Sequence, residues 1–390
     1  MLPALSEDLV EEIILRFPPD DPACLLGAAL VCKDWCRVIC GPGFRSRFRE
    51  FHRNPPLVGI IYWGEEASTS HGVWIVKTNF MPLSTTFTLP SAKLSRRDAI
   101  DTLHSRILFW DREDMQRPSA WMEFVVWSPI PSLVLRLPLL LLGKRRYAWT
   151  AALLCATASC NHLDCGSGAF LVIFAGTNPA TGLTSVYIYS SEQNVWSEPI
   201  SIQDQDRSVH GIIRPSARVG NTVYFVCEAS NKLLAFEMGN QQLSFVSIPS
   251  TCRNCSFTVF AIAEDKGKLG YAVTQDSKLF TWSRDAGRLD GDAGWTQRRV
   301  FELDKLIPSC IRSFVDELYA TTNNRGVVIV KGRHVLFTLD LKSGKVTKLV
   351  DGCTKHIYDV VLYMGFCTPS LPPNSKLASG HGMQQQSLYL

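Results

Sequence analysis

Apolar side chains recur at helical spacing near the start of the chain. Leu5, Leu9 and Ile13 follow one another every four residues, which predicts a helix with one apolar face, and Ser6 is placed to cap its N-terminus. Pro18–Pro19 ends this helix, because proline has no backbone N–H to donate. The pattern therefore predicts a short amphipathic helix.

A second helical stretch follows directly. Asp20–Pro22 places an acidic N-cap before a proline in the first turn, which is a typical helix start. The apolar stripe then continues through Val31, Trp35 and Ile39, across a small break, until Gly41–Pro42 stops it. The first fifty residues are thus predicted to be helical.

After about residue 56 the pattern changes from helical spacing to short β-type runs. β-Branched and aromatic residues alternate there with turn residues, and no helix of convincing length is predicted. The apolar runs occupy residues 58–63, 106–110, 123–127, 170–176, 185–190, 221–227, 232–238, 278–283, 326–330 and 334–340.

A hairpin of apolar strand, polar turn and apolar strand repeats within this region. The second strand opens at Trp196, Phe245, Trp295 and Val346, at spacings of 49, 50 and 51 residues. A period near 50 is typical of β-propeller blades of kelch size, and about 310 residues would make six of them. Seven blades, or a pair of β-sandwiches with accidental periodicity, are the alternatives.

The predicted fold class is therefore α+β and multidomain. Residues 1–50 form a helical domain, 51–57 a linker, and 58–367 a β-propeller-like domain. Residues 368–390 are rich in proline, serine, glycine and glutamine, which predicts a disordered tail.

Composition narrows the possible classes of protein. The chain has 390 residues, 46% of them hydrophobic and 19% charged, which fits packed domains rather than disorder. Its net charge of +4 is too small to indicate a nucleic-acid binder. We expect the most basic run, at 44–53, to be a solvated helix end.

Two further features argue against a membrane protein. Acidic residues near the first position replace the basic segment of a secretory signal. The most hydrophobic stretch, residues 131–143, is interrupted by Arg136 and Pro138 and is shorter than the roughly 20 residues that span a bilayer. We expect this stretch to be a buried strand and turn. We also expect that the protein has no membrane partner.

Candidate chemistry is sparse. The 13 cysteines are irregularly spaced and are expected to be reduced thiols that pack in the core. Cys155, Cys160, His162 and Cys165 cluster in the sequence, but their spacing matches no zinc template, so no metal or cofactor is predicted. No serine-hydrolase elbow, phosphate-binding glycine loop or zinc-protease helix is found, which favours a protein that is not an enzyme.

Residues 5–48, "LSEDLVEEIILRFPPDDPACLLGAALVCKDWCRVICGPGFRSRF", resemble the F-box, a helical motif of about fifty residues. The matching features are Leu5, Asp8–Leu9, Glu12–Ile14, Arg16–Pro18, the run "VCKDWCRVI", "GPGF" and Phe48. The family usually has proline after its first leucine, and Ser6 holds that place here.

The resemblance implies a partner for the apolar helical face. F-boxes bind the Skp-type adaptor and, through it, the cullin of a ubiquitin ligase. The contact roles that the resemblance implies fall on Leu5, Ser6, Leu9, Ile13, Ile14, Val31, Cys32 and Trp35. Ile14 and Trp35 are expected also to hold the helices together. The alternative is a small helical cap that packs on the β domain.

The order of domains resembles the plant class of F-box proteins with a C-terminal β-propeller-like associated domain. That resemblance implies a non-catalytic substrate receptor in the cytoplasm or nucleus, whose β domain binds an unknown target protein. The rival hypothesis is a β-propeller enzyme or sugar-binding module with an incidental helical leader.

Overall fold

The structure is a computed structural model. It describes residues 6–53, 55–67, 74–83, 89, 94, 97–111, 121–129, 133–142, 148–157, 168–178, 180–205, 209, 211–228, 230–249, 257–264, 268–275, 277–284, 294–306, 317–320, 326–331, 335–351 and 357–369. The predicted tail lies almost wholly outside the described residues, as do Leu5 and three members of the Cys155–Cys165 cluster. No described helix is long and apolar enough to span a membrane.

Four helices form the first unit: α1 (Glu7–Leu15), α2 (Pro22–Ala29), α3 (Lys33–Cys40) and α4 (Pro42–His52). Ser6 is the N-cap of α1, although its side chain makes no capping hydrogen bond. Asp21 caps α2 as predicted, because its Oδ1 accepts the Ala23 N–H at 3.1 Å. After the break that follows α2, Cys32 caps the N-terminus of α3, because its Sγ accepts the Trp35 N–H at 3.5 Å.

The four helices share a small core of their own, and Leu15, Phe17 and Trp35 pack against its edge. Its buried members are Val10, Ile14, Leu25, Ala28, Ala29, Val38, Ile39, Phe44 and Phe48. The prediction that 44–53 is a solvated helix end is wrong in part. The arginines of α4 lie at or near its surface, but Phe44 and Phe48 recur every four residues and are fully buried.

The β region begins with β1 (Leu57–Ala67) and β2 (Trp74–Pro82). The next strands are β3 (Arg97–Leu103), β4 (Arg106–Asp111), β5 (Trp121–Met122), β6 (Phe124–Ser128), β7 (Leu133–Arg136) and β8 (Leu140–Leu141). They are followed by β9 (Ala148–Cys155), β10 (Phe170–Asn178), β11 (Leu183–Ser190), β12 (Val195–Trp196) and β13 (Ile200–Gln203).

The second half continues with β14 (Gly211–Val219), β15 (Thr222–Glu228), β16 (Lys232–Glu237) and β17 (Gln242–Ser247). After these come β18 (Phe257–Glu264), β19 (Lys268–Gln275), β20 (Lys278–Arg284), β21 (Trp295–Glu302) and the short helix α5 (Leu303–Leu306). The last strands are β22 (Glu317–Ala320), β23 (Val327–Lys331), β24 (Val335–Asp340), β25 (Val346–Asp351) and β26 (Ile357–Met364).

The described strands form six antiparallel sheets, besides the separate pair β5–β8. Sheet 1 has the order β2-β1-β26, and sheet 2 the order β3-β4-β6-β7. Sheet 3 runs β9-β10-β11-β12, with β13 also paired to β11. Sheets 4, 5 and 6 are β14–β17, β18–β21 and β22–β25, each in sequence order. The alternative of two β-sandwiches requires two pairs of facing sheets, and the six described sheets do not match that number.

Each sheet packs its two faces against different neighbours. In β10, Val172 and Phe174 lie in the cluster shared with sheet 2, whereas Ile173 and Ala175 lie in the cluster shared with sheet 4. Successive residues of a strand point to opposite faces, so a strand buried on both faces reads as an unbroken apolar run. This explains the sequence "FLVIFAG" of β10.

Six buried clusters connect the sheets in cyclic order. Five lie between sheets 1 and 2, 2 and 3, 3 and 4, 4 and 5, and 5 and 6. The sixth joins sheet 6 to sheet 1, where Ile329 and Leu336 pack with Ile60 and Leu362. Each sheet therefore has a neighbour on both faces, and the first sheet follows the last.

The repeated hairpins occupy equivalent places in this arrangement. Trp196, Phe245, Trp295 and Val346 lie on β12, β17, β21 and β25, which are each the outermost strand of an in-order sheet. The prediction that these four residues lie in equivalent strands is confirmed, although Phe245 lies three residues inside β17 rather than at its start.

The stretch at 131–143 departs from its prediction. Its described part forms β7, which is the outer strand of sheet 2, and β8, which belongs to the separate pair with β5. Leu133 on β7 is 64% exposed and Leu141 on β8 is 69% exposed. Only Leu137 and Leu140 are buried. Hydrophobicity alone does not distinguish an edge strand from a central one, which is why the prediction of a buried strand was wrong.

The helical unit and the β region meet at a packed junction. Leu57 at the start of β1 pairs with Met364 at the end of β26, and the Gly365 N–H donates to the Pro56 carbonyl at 3.1 Å. The next residue, Phe366, packs edge-on against the ring of Phe48 in α4, at 6.2 Å between centroids. The residues beyond the last strand thus contact the helices that precede the first.

Candidate partner-docking face of the helical unit

Large apolar side chains stay exposed on the helical unit although it has a core of its own. On α1, Leu9 is 50% and Ile13 44% exposed, four residues apart and therefore on one face. In the connection between α2 and α3, Leu30 is 62% and Val31 65% exposed. We call these four residues the docking face. A small helical unit that leaves such groups in water is typical of an interaction surface.

The helices position this face by burying the residues next to it. Ile14 is fully buried beside Leu25 and Ile39, and this fixes the rotation of α1 so that Ile13 points outward. Contacts of α1 with α3 and α4 hold the helix in place.

Ion pairs lie around the apolar side chains. On α1, Arg16 Nη2 is 2.6 Å from Glu12 Oε1, and Glu11 is paired with Arg47 of α4. On α3, Arg37 Nη1 is 3.3 Å from Asp34 Oδ1. The exposed Arg16–Glu12 and Arg37–Asp34 pairs contribute little to stability, but such charges can orient a partner.

Four thiols belong to the same unit. A hydrogen bond to Asp21 and partial burial raise the pKa of Cys24. Burial, together with the Cys36 Sγ at 4.0 Å, raises the pKa of Cys40 to about 12. Cys32 is exposed beside the docking face. The two raised values describe unreactive thiols rather than nucleophiles.

The eight residues with implied contact roles divide by exposure. Ser6, Leu9, Ile13, Val31 and Cys32 are exposed, Trp35 is half-buried, and Leu5 lies outside the described residues. Ile14 has no exposed surface, so in this structure it belongs to the helical core only. Their contact with an adaptor stays a prediction.

Two exposed residues were missed by the sequence reasoning. Leu30 reads as part of the apolar stripe of α2, but it is the C-cap residue, where the helix ends and the side chain is exposed. Phe51 continues the face of Phe44 and Phe48 on α4, yet it is more than half exposed, because the last turn of α4 extends past the core. Helical spacing predicts on which face of the helix a residue lies. It does not predict whether a neighbouring element covers that turn.

The part of the chain that the structure describes contains no group of three or more histidine, cysteine or acidic side chains that could hold a metal ion.

Comparison with known families identifies this unit. Residues 2–47 match the family described as the F-box domain, which includes the docking face and α1 to α3. The chain thus contains an F-box domain, and this class of domain implies a substrate-receptor role in a Skp–cullin–F-box ubiquitin ligase.

Comparisons of the whole chain add little. No curated protein sequence matches it. Among solved structures, a chain of the Nidogen/Laminin Complex is similar at 9% identity and a TM-score of 0.42, over 80% of this chain and 100% of that one. Kluyveromyces lactis Hsv2 is similar at 9% identity and a TM-score of 0.35, over 66% of both chains. Likenesses this low have no bearing on function.

Proposed function

We propose that this chain is the substrate-receptor subunit of a Skp–cullin–F-box ubiquitin ligase. Its F-box domain docks on the Skp-type adaptor, which links it to the cullin, and its β domain holds the target protein. The observation that carries the proposal is the docking face: Leu9, Ile13, Leu30 and Val31 are exposed within a sequence that matches the F-box domain.

In this role the chain contributes proximity rather than chemistry. Holding a target beside the charged conjugating enzyme converts an encounter in solution into one within a complex, which raises the effective concentration of the target lysine. The receptor then needs no nucleophile, metal or cofactor of its own. The expected sites of action are the cytoplasm and the nucleus, where the ligase works.

The β domain is proposed to be a six-bladed β-propeller of the kind found in the plant F-box class. Six clusters in cyclic order and the pairing of β1 with β26 support this arrangement. A ring suits a receptor because it protects sheet edges while its outer strands and loops stay available for binding.

The junction supports a fixed geometry between the two domains. The Phe48–Phe366 contact and the Gly365–Pro56 hydrogen bond lie between the F-box and sheet 1. A β-carbon at position 365 would meet the side chain of Ser105, so this segment is closely packed. A stiff connection holds the target at a set position relative to the adaptor.

The proposal is tested by measuring adaptor binding. The full chain and its Leu9→Ala/Ile13→Ala variant are titrated with a purified Skp-type adaptor by calorimetry. We expect at least tenfold weaker binding by the variant, which corresponds to about 1.4 kcal/mol. Leu183→Ala, an exposed leucine on β11, is the control and should bind like the wild type. Equal affinity of all three proteins would show that the docking face does not bind the adaptor.

The target is found by a separate experiment. Proteins that co-purify with the full chain are compared with those that accumulate when the proteasome is blocked. Targets should be in both sets, and they should be retained by the Leu9→Ala/Ile13→Ala variant, because the β domain has its own core. Proteins that co-purify with the wild-type chain but not with the Leu9→Ala/Ile13→Ala variant would be ligase subunits rather than targets.

A further inference from the structure

The outermost strand of sheet 5 has an unusual exposure. Residues 296–300 of β21 are all exposed, although strand residues at a sheet surface ordinarily alternate between buried and exposed. β21 pairs with β20, and its other edge pairs with no strand among the described residues. Among the described residues, the stretch between the buried Trp295 and Phe301 is thus exposed on both faces and unpaired at one edge.

Cationic side chains gather at this strand. Arg298 and Arg299 are adjacent on β21. The Arg299 guanidinium reaches sheet 6, where it donates to the Leu341 carbonyl at 3.1 Å and to the Lys342 carbonyl. This contact places the turn between β24 and β25, with exposed Lys342 and Lys345, beside β21.

One more cation extends this group along β25, where Lys348 is exposed. We call Arg298, Arg299, Lys342, Lys345 and Lys348 the basic rim. It spans the outer strands of two neighbouring sheets.

The backbone N–H groups of Ser343 and Lys342, together with the charge of Lys342, lower the pKa of Asp340, so Asp340 offsets part of the charge of the rim. The Asp340 carboxylate accepts the backbone N–H groups of Lys342 and Ser343, each at 2.8 Å, and so shapes the turn. Glu302 is paired with Lys305, which lies outside the rim. Within the described part of the chain, no carboxylate is paired with Arg298, Arg299 or Lys345.

The contacts of Arg299 leave its positive charge available to a partner. Its guanidinium is held by two neutral carbonyl groups, so it is fixed in place while its charge stays available. A cation that is ordered before binding loses less conformational entropy when a carboxylate arrives.

We propose that the basic rim binds an acidic, extended segment of the target polypeptide, rich in Asp and Glu, along β21. The inference rests on the proposed function, since it assigns the surface by which the β domain holds its target. Complementary charge would draw such a segment to the rim, and the open edge of β21 would pair with its backbone. Val300, also exposed, would contact an apolar side chain of the segment.

A polypeptide fits this surface better than a nucleic acid does. The rim has three cations on two strands and two in the turn between β24 and β25, and the exposed residues beside Arg298 and Arg299 are Thr296, Gln297 and Val300 rather than aromatic rings. Single-stranded nucleic acid is ordinarily held by a longer basic groove with stacking aromatic side chains.

The test uses the full chain in complex with its adaptor. The probe is a fluorescein-labelled peptide of twelve residues in which Glu and Val alternate, and binding is followed by fluorescence anisotropy at low and moderate salt. Wild-type protein should bind the peptide, more weakly at higher salt. Arg298→Glu should weaken binding at least tenfold, and Arg298→Glu/Lys345→Glu further.

The matched control is Arg218→Glu on β14, which changes the net charge equally but lies in sheet 4. It should bind like the wild type. Thermal unfolding must be unchanged in Arg298→Glu, because this exposed side chain makes no hydrogen bond or ion pair with the residues that the structure describes.

Several results would overturn the proposal. One is that the wild-type chain does not bind the acidic peptide, and another is that Arg298→Glu and Arg218→Glu weaken peptide binding equally. A third is that binding occurs only to a comparison peptide with phosphorylated serines. A fourth is that a single-stranded DNA oligomer binds more tightly than the acidic peptide at the same residues. Adaptor binding is measured on the same samples. A wild-type chain that binds the adaptor but not the acidic peptide refutes the rim alone, whereas a wild-type chain that never binds the adaptor refutes the proposed function.

Discussion

At the scale of single residues, two adjacent isoleucines have opposite environments. Ile14 is fully buried in the helical core, and Ile13 beside it is 44% exposed. Ile14→Ala should lower the free energy of unfolding of the F-box domain by about 2–5 kcal/mol, because it leaves a cavity. Ile13→Ala should change stability by less than about 1 kcal/mol but weaken adaptor binding. Denaturant unfolding and calorimetry measure the two effects.

The two variants serve as controls for each other, since they remove the same atoms one position apart. If both lower stability equally, the rotation of α1 differs from that described here.

Thiol reactivity gives a second prediction at this scale. With its pKa raised to about 12 by burial and the neighbouring Cys36, Cys40 has roughly one thiolate in ten thousand molecules at pH 8. Iodoacetamide at pH 8 should therefore modify exposed Cys32 well before Cys40, as followed by peptide mass spectrometry. In denaturant the two rates should converge. Early labelling of Cys40 in the folded protein would contradict its burial.

Much of the residue pattern could be predicted from the sequence. Four-residue spacing placed Leu9 and Ile13 on one face, and the F-box resemblance assigned that face to a partner. Exposure was harder to predict, because Leu30 and Phe51 lie at helix ends, where tertiary neighbours rather than spacing decide burial. Nothing in the spacing of Arg298 and Lys345 indicated that they would lie on neighbouring sheets.

At the scale of elements, α2 depends on its cap. The helix has eight residues, and isolated helices of this length are not stable in water. Asp21→Ala removes the acceptor for the Ala23 N–H and should destabilise the F-box domain by about 0.5–2 kcal/mol. Asp21→Asn, which keeps the acceptor, is the control and should retain most of the stability in thermal unfolding. Equal loss in both variants would assign the effect to charge rather than to capping.

The elements also show what periodicity can and cannot predict. Hairpins near a 50-residue period correctly placed Trp196, Phe245, Trp295 and Val346 on outermost strands. Residues 131–143 were misassigned because six described positions there that are exposed or half-exposed are leucine or valine, as in a core strand. Position within a sheet depends on contacts that are distant in sequence, which a local pattern does not contain.

At the scale of the whole molecule, β26 connects the two ends of the β region. It pairs with β1, contributes Ile357 and Leu362 to the cluster between sheets 6 and 1, and leads into Phe366 at the F-box. A chain truncated after residue 356 should lose cooperative unfolding of the β domain and aggregate, because β1 and two sheet faces lose their partners. Size-exclusion chromatography and calorimetry detect both changes.

The matched control is a chain that ends at Pro369, which keeps β26 and the junction. It should unfold at the same temperature as the full chain. A chain ending at residue 356 that stays monomeric with an unchanged unfolding temperature would refute the importance of this strand.

The pairing of β1 with β26 also sets the order of events during translation. The partner of β1 is synthesised about 300 residues later, which takes about 15–60 s at 5–20 residues per second. The F-box leaves the ribosome before the β region does, with a core built almost entirely from its own helices. On each ribosome the F-box is thus complete while the β region is still unfinished. An adaptor that binds the nascent chain in this interval would occupy a receptor that cannot yet select a target.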